Sequence, residues 1–387
     1  MIPRKIGLVE ALLTWRRQTR ELQVSVDGKT ARAVNYDLLT GPAIPGDRVL
    51  LNTLAGDLGL GTGGFHFVSY NYSRPYRQPL GKGHIIKLRY TPWQFNVLSY
   101  EEDAAGNKPL ISKFKNLQGM PVIIGELHSM LAPAAATVHY HCPDCRIVYV
   151  MTDGAALPLS FSRTVEVLKQ RKIITSAITS GHAFGGDLEA VNIYSALAAC
   201  RVLIKADLAI IIMGPGNVGT GTRLGFSGME VGENINRVNA LGGVPVVIPR
   251  ISFADPRRRH WGVSHHTLTA LKVASYSRAC LPVPRLSPHR LKLVLWQLAR
   301  HRLLGRYQVK VWPGLRVDKI MSRLQLALPE SMGRGYQDDP AFFEAAGVAG
   351  LQALELYRKT EGKNRQRTEQ EEEHGYLGEE ILYGPGD

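Results

Sequence analysis

A glycine-rich segment at residues 214–228 has the composition of a loop that binds an anion. Its six glycines are interleaved with Thr, Ser and Asn, and it follows an apolar segment that we predict to be a strand. Glycines let backbone N–H groups approach a negative ligand, hydroxyl groups add donors, and arginine supplies charge. We therefore predict that this glycine loop binds an anion through Gly216, Asn217, Gly219, Thr220, Gly221, Thr222, Arg223 and Ser227. Its glycine spacing is that of neither the dinucleotide fingerprint nor the P-loop, so a structural turn is the alternative.

Residues 252–267 form a second candidate segment, the arginine–histidine loop, which is dense in ionisable side chains. Such groups are costly to bury unless they are solvated or bind something. We predict that Asp255, His265 and His266 transfer protons or position a ligand, and that Arg257 contacts an anion. Adjacent histidines point in different directions on a helix, so no metal is assigned to them. The structural alternative is that the hydroxyl groups of this segment only cap a helix.

Two shorter segments follow other predicted strands. Asp153 comes after one strand, and His182 comes after another. Ligands bind at the carboxyl ends of strands in open α/β sheets, so we predict that Asp153 holds a ligand and His182 relays a proton. Thr62 belongs to a glycine–threonine loop at residues 58–64, which we predict to cover the same site from the N-terminal domain. Ordinary turns, a helix cap and a barrel hairpin are the alternatives.

Cysteine is sparse for a chain of 387 residues, with only Cys142, Cys145, Cys200 and Cys280. The first two form a Cys-x-x-Cys motif, but no second pair with zinc-ribbon spacing exists, so no metal is assigned. We expect free thiols and a reducing, cytoplasmic location. We also expect no signal peptide and no membrane span, because the apolar stretch at 208–213 is shorter than the about 20 residues that a span needs.

The pattern of apolar residues predicts two domains. Short alternating strands separated by turns predict a small all-β barrel or sandwich over residues 1–108. Apolar strands then alternate with helices over residues 109–358, which is typical of a mostly parallel Rossmann-like α/β sheet with helices on both faces. We predict its strands at 122–124, 147–151, 173–177, 208–213 and 244–248, and its helices at 126–136, 162–172, 188–199, 229–241, 266–275, 288–304 and 340–358. Residues 359–387 are predicted to be a disordered acidic tail.

The net charge of +14 favours anionic partners. Ten Lys or Arg residues and a single acid lie at residues 285–323, which we call the basic segment. Together with the arginines at 257–259, this segment makes a nucleic-acid-binding protein an alternative function. Against that alternative, the aromatic residues form no evident stacking platform.

Three motifs in the two loops are long and specific. They are Thr-Gly-Thr-Arg-Leu-Gly-Phe-Ser-Gly at 220–228, Ser-Phe-Ala-Asp-Pro-Arg at 252–257 and Gly-Val-Ser-His-His-Thr-Leu-Thr-Ala-Leu at 262–271. With these motifs the chain resembles an uncharacterised bacterial family, a conserved domain of unknown function, over roughly residues 1–358. The resemblance implies a bacterial, intracellular protein and carries over no catalytic roles.

Together, these features predict binding or turnover of a small anionic metabolite, such as a phosphorylated one. No nucleophile–base pair can be identified, so the sequence assigns no reaction and no cofactor. A metal-dependent hydrolase is a further alternative, and a homo-oligomer is left open.

Overall fold

The computed structural model describes residues 4–59, 64–77 and 81–379. The strands are β1 Arg4–Arg16, β2 Thr19–Val26, β3 Lys29–Tyr36, β4 Arg48–Asn52, β5 Phe65–Asn71, β6 Ile85–Lys87, β7 Phe95–Val97, β8 Pro121–Ile124, β9 Ile147–Thr152, β10 Ser176–Ser180, β11 Leu188–Ala190, β12 Leu208–Met213, β13 Val244–Val247, β14 Ile251–Ser252, β15 Gly262–Val263, β16 Cys280–Val283 and β17 Gln308–Val311. The α-helices are α1 Asp37–Thr40, α2 Leu54–Asp57, α3 Lys108–Ile111, α4 Leu131–His141, α5 Arg163–Gln170, α6 Ile193–Val202, α7 Glu230–Ala240, α8 His265–Thr269, α9 Pro288–Arg300, α10 Val317–Arg323 and α11 Pro340–Glu379.

The first five strands close into a barrel in the order β1-β2-β3-β5-β4. Neighbouring strands are antiparallel except β3 and β5, which run parallel. Inward residues such as Leu22, Val24 and Leu51 are fully buried and fill the barrel. β1 is not among the predicted strands, because along it only Gly7 and Val9 are buried while its other apolar side chains face outward.

The second unit is an eight-stranded, all-parallel sheet in the order β11-β10-β9-β12-β8-β13-β16-β17. The central strands are buried along their whole length, as in the run Leu208–Met213. Continuous apolar runs of this kind are typical of parallel strands covered on both faces. The predicted fold class, a Rossmann-like α/β sheet preceded by a small barrel, is therefore confirmed.

The chain changes direction across the sheet at β8. From β8 the chain moves towards one edge of the sheet through β9, β10 and β11. It then returns to β12, which lies beside β8, and continues towards the other edge through β13, β16 and β17. Right-handed crossovers therefore place α4 and α5 on one face and α7 and α8 on the other. Where neighbouring strands send their helices to opposite faces, a crevice opens at the carboxyl edge of the sheet, and ligands bind there.

Two predicted elements lie elsewhere in the sequence. The strand predicted at 173–177 is observed as β10, which begins only at Ser176. The amides of Ile173 and Ile174 donate to the Leu168 carbonyl and close the end of α5 instead. The helix predicted at 188–199 begins as β11, and α6 starts only after Asn192. Asn192 and Ser195 form a reciprocal capping box, which fixes that helix start.

The cysteines differ from the expectation of free thiols. Cys142 and Cys145 form a disulfide at the end of α4, whereas Cys200 and Cys280 are free and buried. Only two residues lie between the bonded cysteines, so they are close enough to bond wherever the chain turns. For this pair the expectation is wrong.

The long helix α11 covers the face of the sheet that carries α4. Its first half is buried through small and aromatic side chains, including Phe343 and Ala346, whereas the prediction ended this helix near residue 358. The domain limits at 108 and 358 stay predictions. Among the helices of the described part of the chain, none combines the length and the apolar character needed to cross a bilayer.

Candidate functional site

Charged side chains are buried at the carboxyl edge of the sheet. Glu126 follows β8 and Arg250 follows β13, and both are about 2% exposed. The glycine loop follows β12, which lies beside β8. Because parallel strands all end at this edge, these three segments lie side by side. Buried charges at such a place indicate a site and not only a core.

His260, His265 and His266 form what we call the histidine cluster. His265 and His266 begin α8, and His260 ends the single 3-10 turn Arg258–His260. The ring centroid of His260 lies 5.0 Å from that of each of the other two, and those two are 4.4 Å apart. One ring nitrogen from each histidine lies within 4.8 Å of those of the other two. Gly262, with a φ of 69°, provides the left-handed turn between His260 and the helix.

Glu126 orients His266. Nδ1 of His266 and Nη1 of Arg250 lie 2.7 and 3.1 Å from Oε1 of Glu126. Burial opposes the charged carboxylate, but the His266 hydrogen bond and the Arg250 charge hold the pKa of Glu126 below its usual range. A carboxylate at Nδ1 selects the tautomer that donates from Nδ1, which leaves Nε2 of His266 as an acceptor.

Ser264 plays the same part for His260. Its Oγ lies 2.8 Å from Nδ1 of His260 and accepts the His266 amide at 3.2 Å. The Nε2 atoms of His260 and His265 are buried, and neither has a hydrogen-bond partner in the described part of the chain. The cluster thus contains two buried nitrogens whose hydrogen-bonding capacity is unused, which is costly in a native protein.

The two unpartnered histidines are neutral near neutral pH. Burial, reinforced by the charges of nearby arginines, lowers the pKa of His260 to about 3. Burial and repulsion from His266 lower the pKa of His265 to about 4. Neutral imidazoles can accept a hydrogen bond or ligate a metal, which protonated imidazoles cannot do.

Asp255 is the centre of an arginine network next to this cluster. Arg257 binds it with two hydrogen bonds of 2.9 and 2.8 Å, and Arg334 adds one of 3.1 Å. Burial opposes its ionisation, but the Arg257 hydrogen bonds and charge hold the pKa of Asp255 far below its usual range. In this geometry Asp255 is a fixed counter-ion, and Arg257 positions it.

The glycine loop lies directly on the histidine cluster. The Phe226 ring stacks on the His266 ring, with centroids 3.9 Å apart and planes 2° from parallel. A Cβ at Gly219 would lie 3.7 Å from Cε1 of His266, and a Cβ at Gly228 only 2.6 Å from Cγ of Glu126. The two predicted loops therefore meet at one place, and glycine permits the close approach.

Part of the loop backbone is used to fix the loop itself. The amides of Thr220 and Ser227 donate to carbonyl groups of the loop at 2.8 and 3.0 Å. The Thr220 and Thr222 hydroxyls bond to each other, and the Ser227 hydroxyl donates to the Asn217 side chain. Amides that make no bond among the described residues include those of Gly216, Gly219 and Gly221. The anion cradle is therefore smaller than the sequence predicted.

Exposed cations lie on both loops, and a cavity adjoins the arginine–histidine loop. Nη2 of Arg259 lies 3.9 Å from the position that a Cβ at Gly221 would take, and Arg223 lies at the exposed tip of the glycine loop. Arg258, Phe253 and Trp261 line a cavity of about 700 Å³ between the arginine–histidine loop and α9. This volume is in the range of small-molecule sites.

Asp153 and His182 lie together beside a different cavity. The His182 amide donates to Asp153 at 2.9 Å, and the His182 ring nitrogens contact the Leu88 amide and the Arg89 guanidinium at 3.1 and 3.0 Å. The cavity, of about 360 Å³, is lined by Asp153, Ser180 and Glu230 among others. We call it the acidic pocket.

Glu230 is the unusual group of the acidic pocket. The Thr152 hydroxyl donates to it at 2.8 Å. Burial, with repulsion from Asp153, raises the pKa of Glu230 to about 7 despite that hydrogen bond. A carboxyl group that titrates near neutral pH is suited to proton transfer or to donating a hydrogen bond.

The predicted residues thus fall into two groups at one edge of the sheet. Asp255, Arg257, His265, His266 and the glycine loop come together, whereas Asp153 lines the acidic pocket and His182 is bonded to Asp153 through its amide. Thr62 lies outside the described residues. The residues that sequence reasoning missed are Glu126, Thr152, Glu230, Arg250 and His260. Glu126 and Arg250 each follow a predicted strand by two residues, which is the signal that could have found them.

The basic segment uses much of its charge within the chain. Arg290 lies over the Phe253 ring at 4.6 Å and Arg300 over the Trp296 ring at 5.2 Å. Lys310 lies over the Trp312 ring at 4.0 Å and also pairs with Glu355. The cation–π contacts restrain side chains that a nucleic acid would have to recruit, and the Glu355 pair neutralises one of their charges.

Comparison with known proteins identifies a family for this chain. A family model described as a protein of unknown function (DUF3866) matches residues 32–350. The match covers all three motifs of the two loops and the histidine cluster. No curated protein matches the chain.

Proposed function

The chain belongs to the DUF3866 family of proteins of unknown function, and from the site that it builds we propose that it binds a small anionic metabolite. The ligand lies between the glycine loop and the arginine–histidine loop. One observation carries the proposal: the tip of the glycine loop meets Arg259 and the histidine cluster at the carboxyl edge of the sheet. Amides and a guanidinium group are thereby directed to one place.

The distribution of charge supports an anionic ligand. Arg250, Arg257 and Arg334 are compensated by the buried carboxylates of Glu126 and Asp255. The remaining arginines of the two loops, Arg223, Arg258 and Arg259, are exposed, and their side chains make no hydrogen bond among the described residues. The mouth of the site therefore carries an excess of positive charge, which attracts and holds anions.

The cavity beside Arg258 supports a ligand with an organic part. Phe253, Trp261 and Leu293 give this cavity apolar walls, and Arg258 places a charge at its side. Sites for small molecules combine mostly apolar walls with a few polar groups that fix orientation. A phosphorylated metabolite matches this lining better than inorganic phosphate alone.

Binding of phosphate compounds tests the proposal. We expect pyrophosphate or a member of a panel of sugar phosphates and nucleoside monophosphates to raise the melting temperature of the full chain. We also expect Arg259→Gln to weaken the binding of that compound about tenfold or more in calorimetric titration, because a charged hydrogen bond contributes about 1.5–3 kcal/mol.

Arg285→Gln is the matched control, since Arg285 is an exposed arginine of the basic segment. It should bind the compound as the wild type does. If no compound of the panel shifts the melting temperature, or if Arg259→Gln binds as tightly as the wild type, the proposal is wrong. Binding of DNA or RNA that weakens steeply with salt and depends on Arg285 would favour a nucleic-acid-binding function instead.

A further inference from the structure

The histidine cluster has the ligand atoms and the spacing of a metal site, and two of its ring nitrogens have no partner among the described residues. Among the residues that the structure describes, His260, His265 and His266 are the group of three side chains whose ligand atoms lie near enough to share an ion, within 4.8 Å of one another. His260 is fully buried, and its Nε2 has no hydrogen-bond partner in the described part of the chain. A buried nitrogen without a partner indicates a missing ligand.

The geometry explains how two adjacent helical residues can serve one ion. Successive residues of a helix point about 100° apart, so His265 and His266 alone would diverge. His260 arrives from the preceding 3-10 turn and lies at 5.0 Å from both rings, which closes a triangle. Zn–N bonds of about 2.0–2.1 Å bring tetrahedral ligand nitrogens to about 3.4 Å from one another, so small rotations of the rings complete the site.

The groups around the cluster are those that orient metal ligands. Glu126 receives the Nδ1 proton of His266, and Ser264 holds Nδ1 of His260. Metal-binding histidines usually make such a contact through the nitrogen that does not bind the metal. Both contacts leave Nε2 for the ion, and the Nε2 atoms of His260 and His265 are the unpartnered ones.

We propose that His260, His265 and His266 bind one Zn²⁺ ion through their Nε2 atoms. Three imidazole ligands suit Zn²⁺ and its transition-metal neighbours, whereas Mg²⁺ and Ca²⁺ prefer oxygen ligands. Three protein ligands leave the fourth position open for water or for an oxygen of a ligand, as in catalytic zinc sites. This site goes beyond the anion site and does not depend on it.

Metal titration of the full chain tests this inference. The protein is expressed without a histidine tag, stripped with a chelator and titrated with Zn²⁺ by calorimetry and with Co²⁺ by visible absorption. We expect one Zn²⁺ ion per chain, and the intense visible absorption that Co²⁺ shows in a tetrahedral site.

Variants locate the ion. His265 is only partly buried, so His265→Ala should fold, and we expect it to lower Zn²⁺ affinity by at least about 100-fold. Glu126→Gln keeps all three imidazoles but loses the carboxylate, and we expect Zn²⁺ affinity to fall by about 10–100-fold.

Two control variants should bind Zn²⁺ as the wild type does. His84→Ala removes an exposed histidine of the N-terminal half and should leave the affinity unchanged. The double variant Cys142→Ser with Cys145→Ser removes the other pair of soft ligands and should also keep the affinity.

Three outcomes would overturn the inference. The first is the absence of Zn²⁺ binding by the stripped wild type. The second is the same affinity in His265→Ala as in the wild type, and the third is loss of binding in the cysteine double variant alone. Phosphate compounds are titrated separately into the stripped protein, so that failure of the zinc site and failure of the anion site are told apart.

Discussion

Replacing Arg250 by methionine is expected to lower the free energy of unfolding by about 3–5 kcal/mol, because the change leaves the buried Glu126 carboxylate without its arginine. The Arg250 side chain is about 2% exposed and lies 3.1 Å from Glu126 and 3.6 Å from Asp255. Methionine keeps an unbranched apolar stem at this position but supplies no charge. Urea denaturation of the wild type and the variant, followed by circular dichroism at neutral pH, measures the loss.

An exposed ion pair provides the control for this prediction. Arg316 pairs with Asp318 at the surface, and the arginine side chain is 60% exposed. Surface pairs of this kind contribute little because water and salt screen them. Arg316→Met should therefore behave like the wild type. A loss in Arg250→Met that is no larger than in Arg316→Met would show that the buried network contributes nothing to stability.

Replacing Glu230 by glutamine is expected to stabilise the protein above neutral pH. The pKa of Glu230 is raised by burial from 4.5 to about 7. Between these two pH values the unfolded chain has released the proton and the folded chain still holds it, so stability falls as the pH rises through this window. Below the window both states are protonated and the effect vanishes. Above it the loss is complete and amounts to about 3 kcal/mol.

The pH dependence of the difference between two proteins isolates this effect. Glutamine keeps the Thr152 hydrogen bond but carries no charge, so Glu230→Gln should gain up to about 3 kcal/mol over the wild type at pH 8 and nothing at pH 4. Glu233 lies one turn further along α7, and its side chain is 53% exposed. Glu233→Gln should therefore show no such gain. Equal pH profiles for Glu230→Gln and the wild type would mean that Glu230 is an ordinary solvated carboxylate.

A carboxyl group that is kept at such a cost in stability indicates a use for it. Strained or destabilising groups persist mainly at functional sites. Glu230 follows the glycine loop directly, and it faces Thr152 in the acidic pocket. A rise in stability together with a loss of ligand binding in Glu230→Gln would connect the two cavities at this edge of the sheet.

The strands of the sheet could be predicted because their burial leaves a direct mark on the sequence. β12 is a run of six apolar residues, Leu208–Met213, and its predicted limits are the observed ones. β1 leaves no such mark, since its outward face carries Leu8 and Trp15 while its inward face has only Gly7 and Val9. A Cβ at Gly7 would lie 2.7 Å from the Leu51 side chain, so this inward position of β1 cannot hold an apolar side chain, and the alternation of polar and apolar residues is lost there.

The candidate site could be located from the sequence, but its members could not all be chosen. The rule that ligands bind after strands identified the glycine loop and the arginine–histidine loop. His260 directly follows three arginines. Nothing in the local sequence shows that the turn at Gly262 brings the His260 side chain inward while Arg258 and Arg259 stay exposed. The role of Asp255 as a counter-ion could not be predicted either, because its partner Arg334 lies 79 residues further along the chain.

The most direct test of the shared site is a crystal structure of the full chain soaked with selenate, a tetrahedral oxyanion that is located by its anomalous scattering. We predict a selenium peak between the amide of Gly221 and the guanidinium of Arg259, beside the histidine cluster. Selenate bound only along the basic segment, with the space between the two loops empty of the anion, would contradict the account.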